Sequence, residues 1–180
     1  KRSKNEALRR YEFIQKFQKE SRQFGAQRRE SERKACNTAL ENLAITMGFS
    51  DINRMMWYFE SEKLEEIRPF MEPQELDGVK VWLEVETDGD AQLVIEKNGK
   101  RQKSVPKGLK KDETILSLKA IVKDLKEQKR RARESLERAM SESTSFSLSE
   151  LENISNNPVI FPMFSALVWT DGERSGFLKK

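Results

Sequence analysis

The stretch that decides the fold is residues 79–95, VKVWLEVETDGDAQLVI. Here the spacing of apolar residues changes from that of a helix to that of a strand. Apolar and polar residues alternate over 79–85, which is the period of a strand with one buried face. Asp88-Gly89 is a strong hairpin signal, because glycine accepts the positive φ that a tight turn requires. A second turn at Asn98-Gly99 leads to a shorter strand over 101–105. The pattern predicts a three-stranded antiparallel meander whose apolar face must be covered by a helix.

The segment that can cover this sheet is a long helix predicted over residues 112–140. Its apolar stripe consists of Leu118, Val122, Leu125, Ala132, Leu136 and Met140. A second stripe, roughly 100° around the helix from the first, is basic. It consists of Lys119, Lys123, Lys126, Arg130 and Arg133. These residues and Arg131 are candidate contacts for phosphate groups or for a protein partner. The alternative is a solvated helix face with local ion pairs, such as Glu127 with Arg131.

Further helices flank these two elements. Before the meander, the spacing of apolar residues predicts helices over 5–24, 27–47 and 51–67, the last capped by Ser50. After the long helix, Ser147-Leu-Ser-Glu150 has the spacing of a capping box and predicts a short helix to residue 155.

The end of the chain combines apolar residues with turn signals. Pro162 prevents a regular helix through 159–169, so we expect a helix that starts at Pro162 and an extended Val168-Trp169. Asp171-Gly172 then marks a further hairpin.

The predicted fold class is α+β, mostly helical, with N-terminal helices, a three-stranded antiparallel meander and a long amphipathic basic helix. We expect a helical region over 1–72, the β-meander over 73–111, and the long helix, short helices and start of a further hairpin over 112–180. These regions are expected to form one packed unit. Because the chain begins at Lys1 rather than methionine, we expect it to be an internal fragment of a larger protein.

Charge is segregated along the chain. Residues 1–34 carry 12 basic and 5 acidic side chains (net +7), and residues 35–96 carry 4 and 14 (net −10). Residues 97–138 carry 15 and 6 (net +9), and residues 139–180 carry 3 and 5 (net −2). The blocks either neutralise one another within the fold or present basic surfaces to an acidic partner such as nucleic acid.

The composition excludes several classes of function. The chain has no histidine, so it contains no Ser-His-Asp triad, no Cys-His dyad and none of the common zinc sites. Its single cysteine, Cys36, forms no internal disulfide, and no apolar run approaches the roughly 18 to 20 residues of a membrane span. We therefore expect a cytoplasmic protein without a membrane partner.

No residue pattern indicates a catalytic, cofactor-binding or metal-binding site. The carboxylates Glu60, Glu62, Glu65 and Glu66 lie on a polar helix face, where plain solvation is expected. Asp88 and Asp90 flank a glycine but lack the remaining ligands of a calcium loop, so a hairpin turn is favoured. Without an identifiable general base, we predict that this chain is not an enzyme.

Two tryptophans are candidate interface aromatics. Trp82 lies on the strand face opposite Val81 and Leu83, so that face is either also covered or meets another part of the parent protein. Trp169 lies in the apolar segment that leads to the last hairpin.

Several runs of residues together resemble one known family. They are RQFGAQRRESERK at 22–34, ALENLA at 39–44, GFSD at 48–51, DGVKVWL at 77–83, KSVPKGLKK at 103–111, FSLSEL at 146–151, NPVIFP at 157–162 and LVW at 167–169. In this order, over roughly residues 22–180, they are similar to the MolR-like family. The resemblance implies a large, mostly bacterial protein whose core is known only as a domain of unknown function. Some members also carry a WGR module associated with nucleic-acid binding, but this chain has no Trp-Gly-Arg motif.

Two functions are consistent with these observations, besides a third class, a catalytic fragment completed by residues outside this chain. The first is a non-catalytic structural or interaction region of a large cytoplasmic protein, whose partners are other regions of that protein or a separate protein. The second is nucleic-acid binding through the basic helices, in a regulatory or defence-type protein.

Overall fold

The computed structural model describes residues 4–178. Helix makes up 61% of the structure and the strands form antiparallel sheets, so the predicted mostly helical α+β class is confirmed. The chain divides into two compact units, Lys1–Phe59 and Glu60–Lys180.

The first unit is helical. Helix α1 (Lys4–Glu20) continues into a 3-10 turn (Ser21–Gln23), and α2 (Ala26–Met47) and the first part of α3 (Ile52–Ile67) follow. The α1 helix therefore ends four residues earlier than predicted, because the chain tightens at Ser21 before the extended Phe24. The apolar faces of the three helices form one core from Ala7, Tyr11, Leu40, Leu43, Ala44, Met55 and Phe59.

Helix ends in this unit are defined by local hydrogen bonds. Gly48 adopts the left-handed conformation at φ +83, and its amide donates to the carbonyls of Ala44 and Ile45, which ends α2 as its sequence predicts. The amide of Arg54 donates to Asp51 Oδ1 at 2.9 Å. This capping bond places Asp51, and not the predicted Ser50, at the start of α3.

The second unit contains a four-stranded antiparallel sheet. Its order is β1 (Gln74–Leu76), β2 (Val79–Val85), β3 (Ala91–Lys97) and β4 (Lys100–Arg101). The prediction of three strands omitted β1 and extended β4 too far. Strand β1 forms because Asp77-Gly78, with both residues at positive φ, folds it back onto β2.

Helix α4 (Glu113–Ser141) covers one face of this sheet, as predicted. The Asp112 carboxylate begins the helix by accepting hydrogen bonds from the amides of Thr114 and Ile115, at 2.8 and 3.2 Å. The core between helix and sheet consists of Val79, Val81, Leu83, Ile95, Leu109, Ile115 and Leu118. A second cluster consists of Leu64, Ala91, Leu125 and Val159.

The remaining elements are short. They are the 3-10 turns Arg68–Met71 and Lys107–Leu109, helices α5 (Leu148–Ser155) and α6 (Phe161–Ser165), and the hairpin β5 (Val168–Thr170) with β6 (Ser175–Phe177). The predicted capping box is present at the start of α5, where Ser147 and Glu150 exchange hydrogen bonds. The predicted hairpin turn at Asp171 is also present, because the Asp171 amide donates to the Arg174 carbonyl at 3.2 Å.

Candidate interaction surfaces

The outer face of α4 carries a row of exposed cations. Within residues 4–178, four of them form no ion pair: Lys119, Lys123, Lys126 and Arg133. We call these four residues the cationic stripe. It extends about 21 Å along the helix axis, at 1.5 Å per residue. The apolar face of α4, roughly 100° around the helix, is buried in the core, and the four side chains of the stripe are exposed.

Arg130 lies in the middle of this row but is neutralised within its own helix. Its guanidinium contacts Glu127 Oε2 at 2.9 Å and Glu134 Oε1 at 2.7 Å. The hydrogen bond to Glu127 is the largest cause of the raised pKa of Arg130. Arg130 therefore adds less net charge to the row than the residues on either side of it.

Arg131 points away from the stripe and toward α3. Its guanidinium contacts Glu60 Oε1 at 2.6 Å, and Glu60 is only 8% exposed. The expectation that Glu60 is plainly solvated is therefore wrong. The reason is tertiary, because the partner of Glu60 lies 71 residues further along the chain.

Lys129 joins α4 to the β2–β3 turn. Its Nζ lies 2.6 Å from Asp90 Oδ1 and 3.4 Å from Asp88 Oδ2, and its side chain is only 12% exposed. The Asp90 amide, which donates to Asp88, is the largest cause of the lowered pKa of Asp88, and Lys129 lowers it further. The predicted hairpin turn at Asp88-Gly89 is confirmed, and an ion pair fixes it to the helix.

Trp82 lies half-buried on the sheet face opposite the α4 core. It stands across from Val94, which is 5% exposed, and the Arg101 guanidinium lies 5.9 Å from the ring centroid. Arg101 also forms two hydrogen bonds to Glu84, at 2.8 and 2.9 Å, and these lower the pKa of Glu84. The side chains of Trp82, Arg101 and Glu84, which come from neighbouring strands, thus cover part of this face.

Trp169 holds the last hairpin against α6. Its Nε1 donates to the Phe164 carbonyl at 2.9 Å, and its ring stacks on Phe164 at 5.7 Å. Phe146 meets the edge of the same cluster, 5.3 Å from Trp169. The ring is half-buried by these contacts, whereas the neighbouring cross-strand pair Val168 and Phe177 is exposed.

Sequence reasoning missed an apolar groove between α1 and α2. It has a volume of about 320 Å³ and is lined by Arg10, Phe13, Ile14, Ala39, Asn42, Leu43 and Thr46. Phe13 is 68% exposed at its edge. The apolar spacing that predicted α1 did not include Phe13; it consisted of Leu8, Tyr11, Ile14, Phe17 and Phe24. The available signal was Phe13 itself, an aromatic residue four positions before Phe17 that the predicted stripe left out. We call this feature the α1–α2 groove.

Three further features concern the single cysteine, metal binding and membrane insertion. Cys36 is buried on α2, and burial raises the pKa of its thiol, which makes it a poor nucleophile. Across the part of the chain that the structure describes, no group of three or more cysteine, aspartate or glutamate side chains is placed to hold a metal ion. None of the helices within residues 4–178 combines the length and apolar composition needed to traverse a bilayer.

Comparison with known sequences gives two matches of unknown function. A family of unknown function (DUF5724) matches residues 1–59, and a domain of unknown function (DUF4132) matches residues 99–179. The first match coincides with the first structural unit, and the second contains α4 and the elements after it. No curated protein and no solved structure matches the chain. The chain is thus similar to a family and to a domain whose functions are both unknown.

Proposed function

We propose that this chain is a non-catalytic interaction region of a larger cytoplasmic protein. The observation that carries the proposal is the α1–α2 groove, with Phe13 exposed at its edge. Helix α1 already buries Ala7 and Tyr11 in its own core, so Phe13 adds an apolar contact surface beyond what the core uses. Exposed apolar surface bordered by polar residues is typical of protein interaction sites.

The ionisable groups of the second unit support a non-catalytic role. The shifted pKa values of Glu84, Asp88 and Arg130 are each explained by hydrogen bonds or ion pairs at the surface. Catalytic groups are instead shifted by burial together with a partner in a cleft. The charged side chains here join strands, turns and helices, which is a structural use of charge.

The proposal is tested by Phe13→Ser, with Tyr11→Ala as the matched control on the same helix. Phe13→Ser is expected to leave the free energy of unfolding within about 0.5 kcal/mol, as for surface substitutions. Tyr11→Ala removes a buried ring that lies 5.4 Å from Phe59 and should cost about 3 kcal/mol or more. Urea unfolding measures both values, and binding of an apolar fluorescent dye should fall in Phe13→Ser alone.

A loss of stability in Phe13→Ser close to that of Tyr11→Ala would identify Phe13 as a core residue. The main support for the interaction role would then disappear.

A second function, nucleic-acid binding, is favoured by the cationic stripe. Its four side chains lie on one arc of a helix that is anchored by the Lys129 and Arg131 ion pairs. Four phosphate contacts on duplex DNA predict a slope of about −3.6 in log affinity against log salt concentration. Fluorescence anisotropy of a labelled duplex at about 50 mM salt, and at higher salt, measures this slope.

The matched variants for this test change net charge equally. Lys119→Glu/Lys126→Glu should abolish binding, whereas Lys80→Glu/Lys100→Glu, which changes two exposed lysines outside the stripe, should retain most of it. No binding by the unmodified chain at low salt, or equal losses in the two variants, would contradict this function.

We also propose that the parent protein belongs to the MolR-like family. The ordered motifs between residues 22 and 169 support this assignment, and both matches of unknown function agree with an uncharacterised family. The sequence of the complete parent protein tests it. A complete sequence with no further similarity to that family on either side of this chain would contradict the assignment.

A further inference from the structure

We propose that the α1–α2 groove binds an amphipathic helix with an acidic polar face, supplied by a partner protein. The inference rests on the proposed interaction role and goes further by naming the occupant. It follows from the shape of the groove, its apolar lining and the charge along one edge.

The shape of the groove favours a helical occupant. Ala7 and Tyr11 of α1 pack with Leu40 and Ala44 near the end of α2, so the two helices are antiparallel neighbours. Residues spaced by four along each helix form ridges, and a third helix can place its own ridge between them. Apolar residues at three- and four-residue spacing are how an amphipathic helix occupies such a groove.

The lining of the groove provides the apolar contacts. Phe13 and Ile14 line it from α1, and Ala39 and Leu43 line it from α2. The small Ala39 side chain allows a close approach of a partner helix, while the exposed Phe13 ring provides a large apolar anchor. Leu or Ile side chains on the apolar face of an amphipathic helix can pack against such a lining.

The charge along the α1 edge selects the polar face of the occupant. Arg9 and Lys16 lie within about 60° of Phe13 on the helix, on the side away from Ile14. Arg9 is exposed and forms no ion pair within the described residues. The Lys16 side chain is 74% exposed and lies 3.8 Å from Glu20 of the same helix, so Arg9, Lys16 and Glu20 together leave this edge a net charge of +1. Since residues 1–34 carry a net charge of +7, a second copy of this chain bound through the same face would bring like charges together. Carboxylates on the partner helix would instead be attracted to this edge.

The test uses two synthetic helical peptides and the full chain. Both peptides carry the same leucine stripe at i, i+3, i+4 and i+7, and their polar faces are built from glutamate in one and lysine in the other. Fluorescence anisotropy measures binding of each labelled peptide. The glutamate peptide should bind at least tenfold more tightly than the lysine peptide, and Phe13→Ser should remove that binding.

Charge reversal sharpens the test. Arg9→Glu/Lys16→Glu should reverse the preference between the two peptides, because it replaces the cationic edge with an acidic one. The control Lys80→Glu/Lys100→Glu makes the same change in net charge elsewhere and should keep the preference for glutamate.

Each contrary outcome has a defined meaning. Equal binding of both peptides, or no binding of the glutamate peptide at about 1 mM, overturns the inference, since a 1 mM dissociation constant is only about 4 kcal/mol. Self-association of the chain that Phe13→Ser abolishes also overturns it in favour of a second copy. If the peptide fails while Phe13→Ser leaves stability unchanged, the interaction role stands without this occupant. If Phe13→Ser destabilises the chain as Tyr11→Ala does, the interaction role fails as well.

Discussion

Gly89 occupies the turn between β2 and β3, where the backbone approaches the segment before α6. Its φ is +86, and a Cβ at this position would lie 2.4 Å from the Val159 carbonyl oxygen. Gly99, in the next turn, has a similar φ of +73, but a Cβ there would have no heavy atom of the described residues within 4 Å beyond its chain neighbours. Comparing substitutions at the two glycines therefore distinguishes the effect of backbone strain from the effect of close packing.

Gly89→Ala is expected to destabilise the chain more than Gly99→Ala. Both substitutions introduce backbone strain of about 1 kcal/mol or more at positive φ. Only Gly89→Ala also forces apart the turn and Val159, which belongs to the cluster with Leu125 and Ala91. Urea unfolding of the two variants measures the difference. Equal losses in both variants would mean that the contact with Val159 yields without cost.

The ion pair between Glu84 and Arg101 predicts a dependence of stability on pH. The Arg101 hydrogen bond lowers the folded-state pKa of Glu84 below its ordinary value of 4.5. The stabilisation is therefore fully present above pH 4.5 and is lost as the pH falls through the lower, folded-state pKa. Arg101→Gln should reduce stability at pH 7, and the difference from the unmodified chain should shrink in acid.

Urea unfolding at neutral and acidic pH checks this expectation. Lys97→Gln, which alters an exposed lysine in the same hairpin, is the control and should show no such pH-dependent difference. A difference between Arg101→Gln and the unmodified chain that persists unchanged in acid would assign the effect to packing on Trp82 instead.

At the scale of elements, α4 depends on the bonds at its first turn. Asp112 Oδ1 accepts hydrogen bonds from two backbone amides that have no partner within the helix. Asp112→Ala should cost about 1 kcal/mol, whereas Asp112→Asn should cost only a few tenths, because both Asp and Asn are good N-caps. Chemical denaturation compares the two, and equal costs would show that the negative charge of Asp112 matters more than the cap.

The elements also show how far sequence patterns reach. Helices α1 to α4 and strands β2 and β3 were predicted from periodicity, because each contains enough residues to reveal a buried face. The shorter α5 was predicted from its capping box. Strand β1 was missed since Gln-Glu-Leu is too short to alternate visibly, and it exists through its pairing with β2. The Asp77-Gly78 dipeptide was the only local signal for it, and it has the same chemistry as the hairpin signals that were recognised.

At the scale of the whole molecule, the acidic block 35–96 and the basic block 97–138 partly neutralise each other through tertiary contacts within the second unit. Glu60, Asp88 and Asp90 come from the acidic block, and their partners Arg131 and Lys129 come from the basic block. Because salt screens partly exposed ion pairs, raising salt from about 50 mM to about 500 mM should lower the free energy of unfolding. Lys129→Met/Arg131→Met should be less stable at low salt and should show a smaller dependence on salt.

Calorimetric or urea unfolding at the two salt concentrations provides this measurement. Lys119→Met/Lys123→Met removes two charges that form no ion pair within the described residues, and it should keep the original salt dependence. A salt dependence that is unchanged in Lys129→Met/Arg131→Met would show that these pairs contribute little.

Composition, periodicity and turn dipeptides determined the longer helical and strand-forming segments, the turns at Asp88-Gly89 and Asp171-Gly172 and the lack of imidazole chemistry. These properties depend on neighbours within a few residues, or on residue counts, so they can be read without a fold. Tertiary structure alone decided which cations remain unpaired among the described residues, that Glu60 is buried against Arg131, and that Phe13 borders a groove. Such properties depend on contacts between residues far apart in the chain, and local patterns carry no information about which distant side chain will supply the partner.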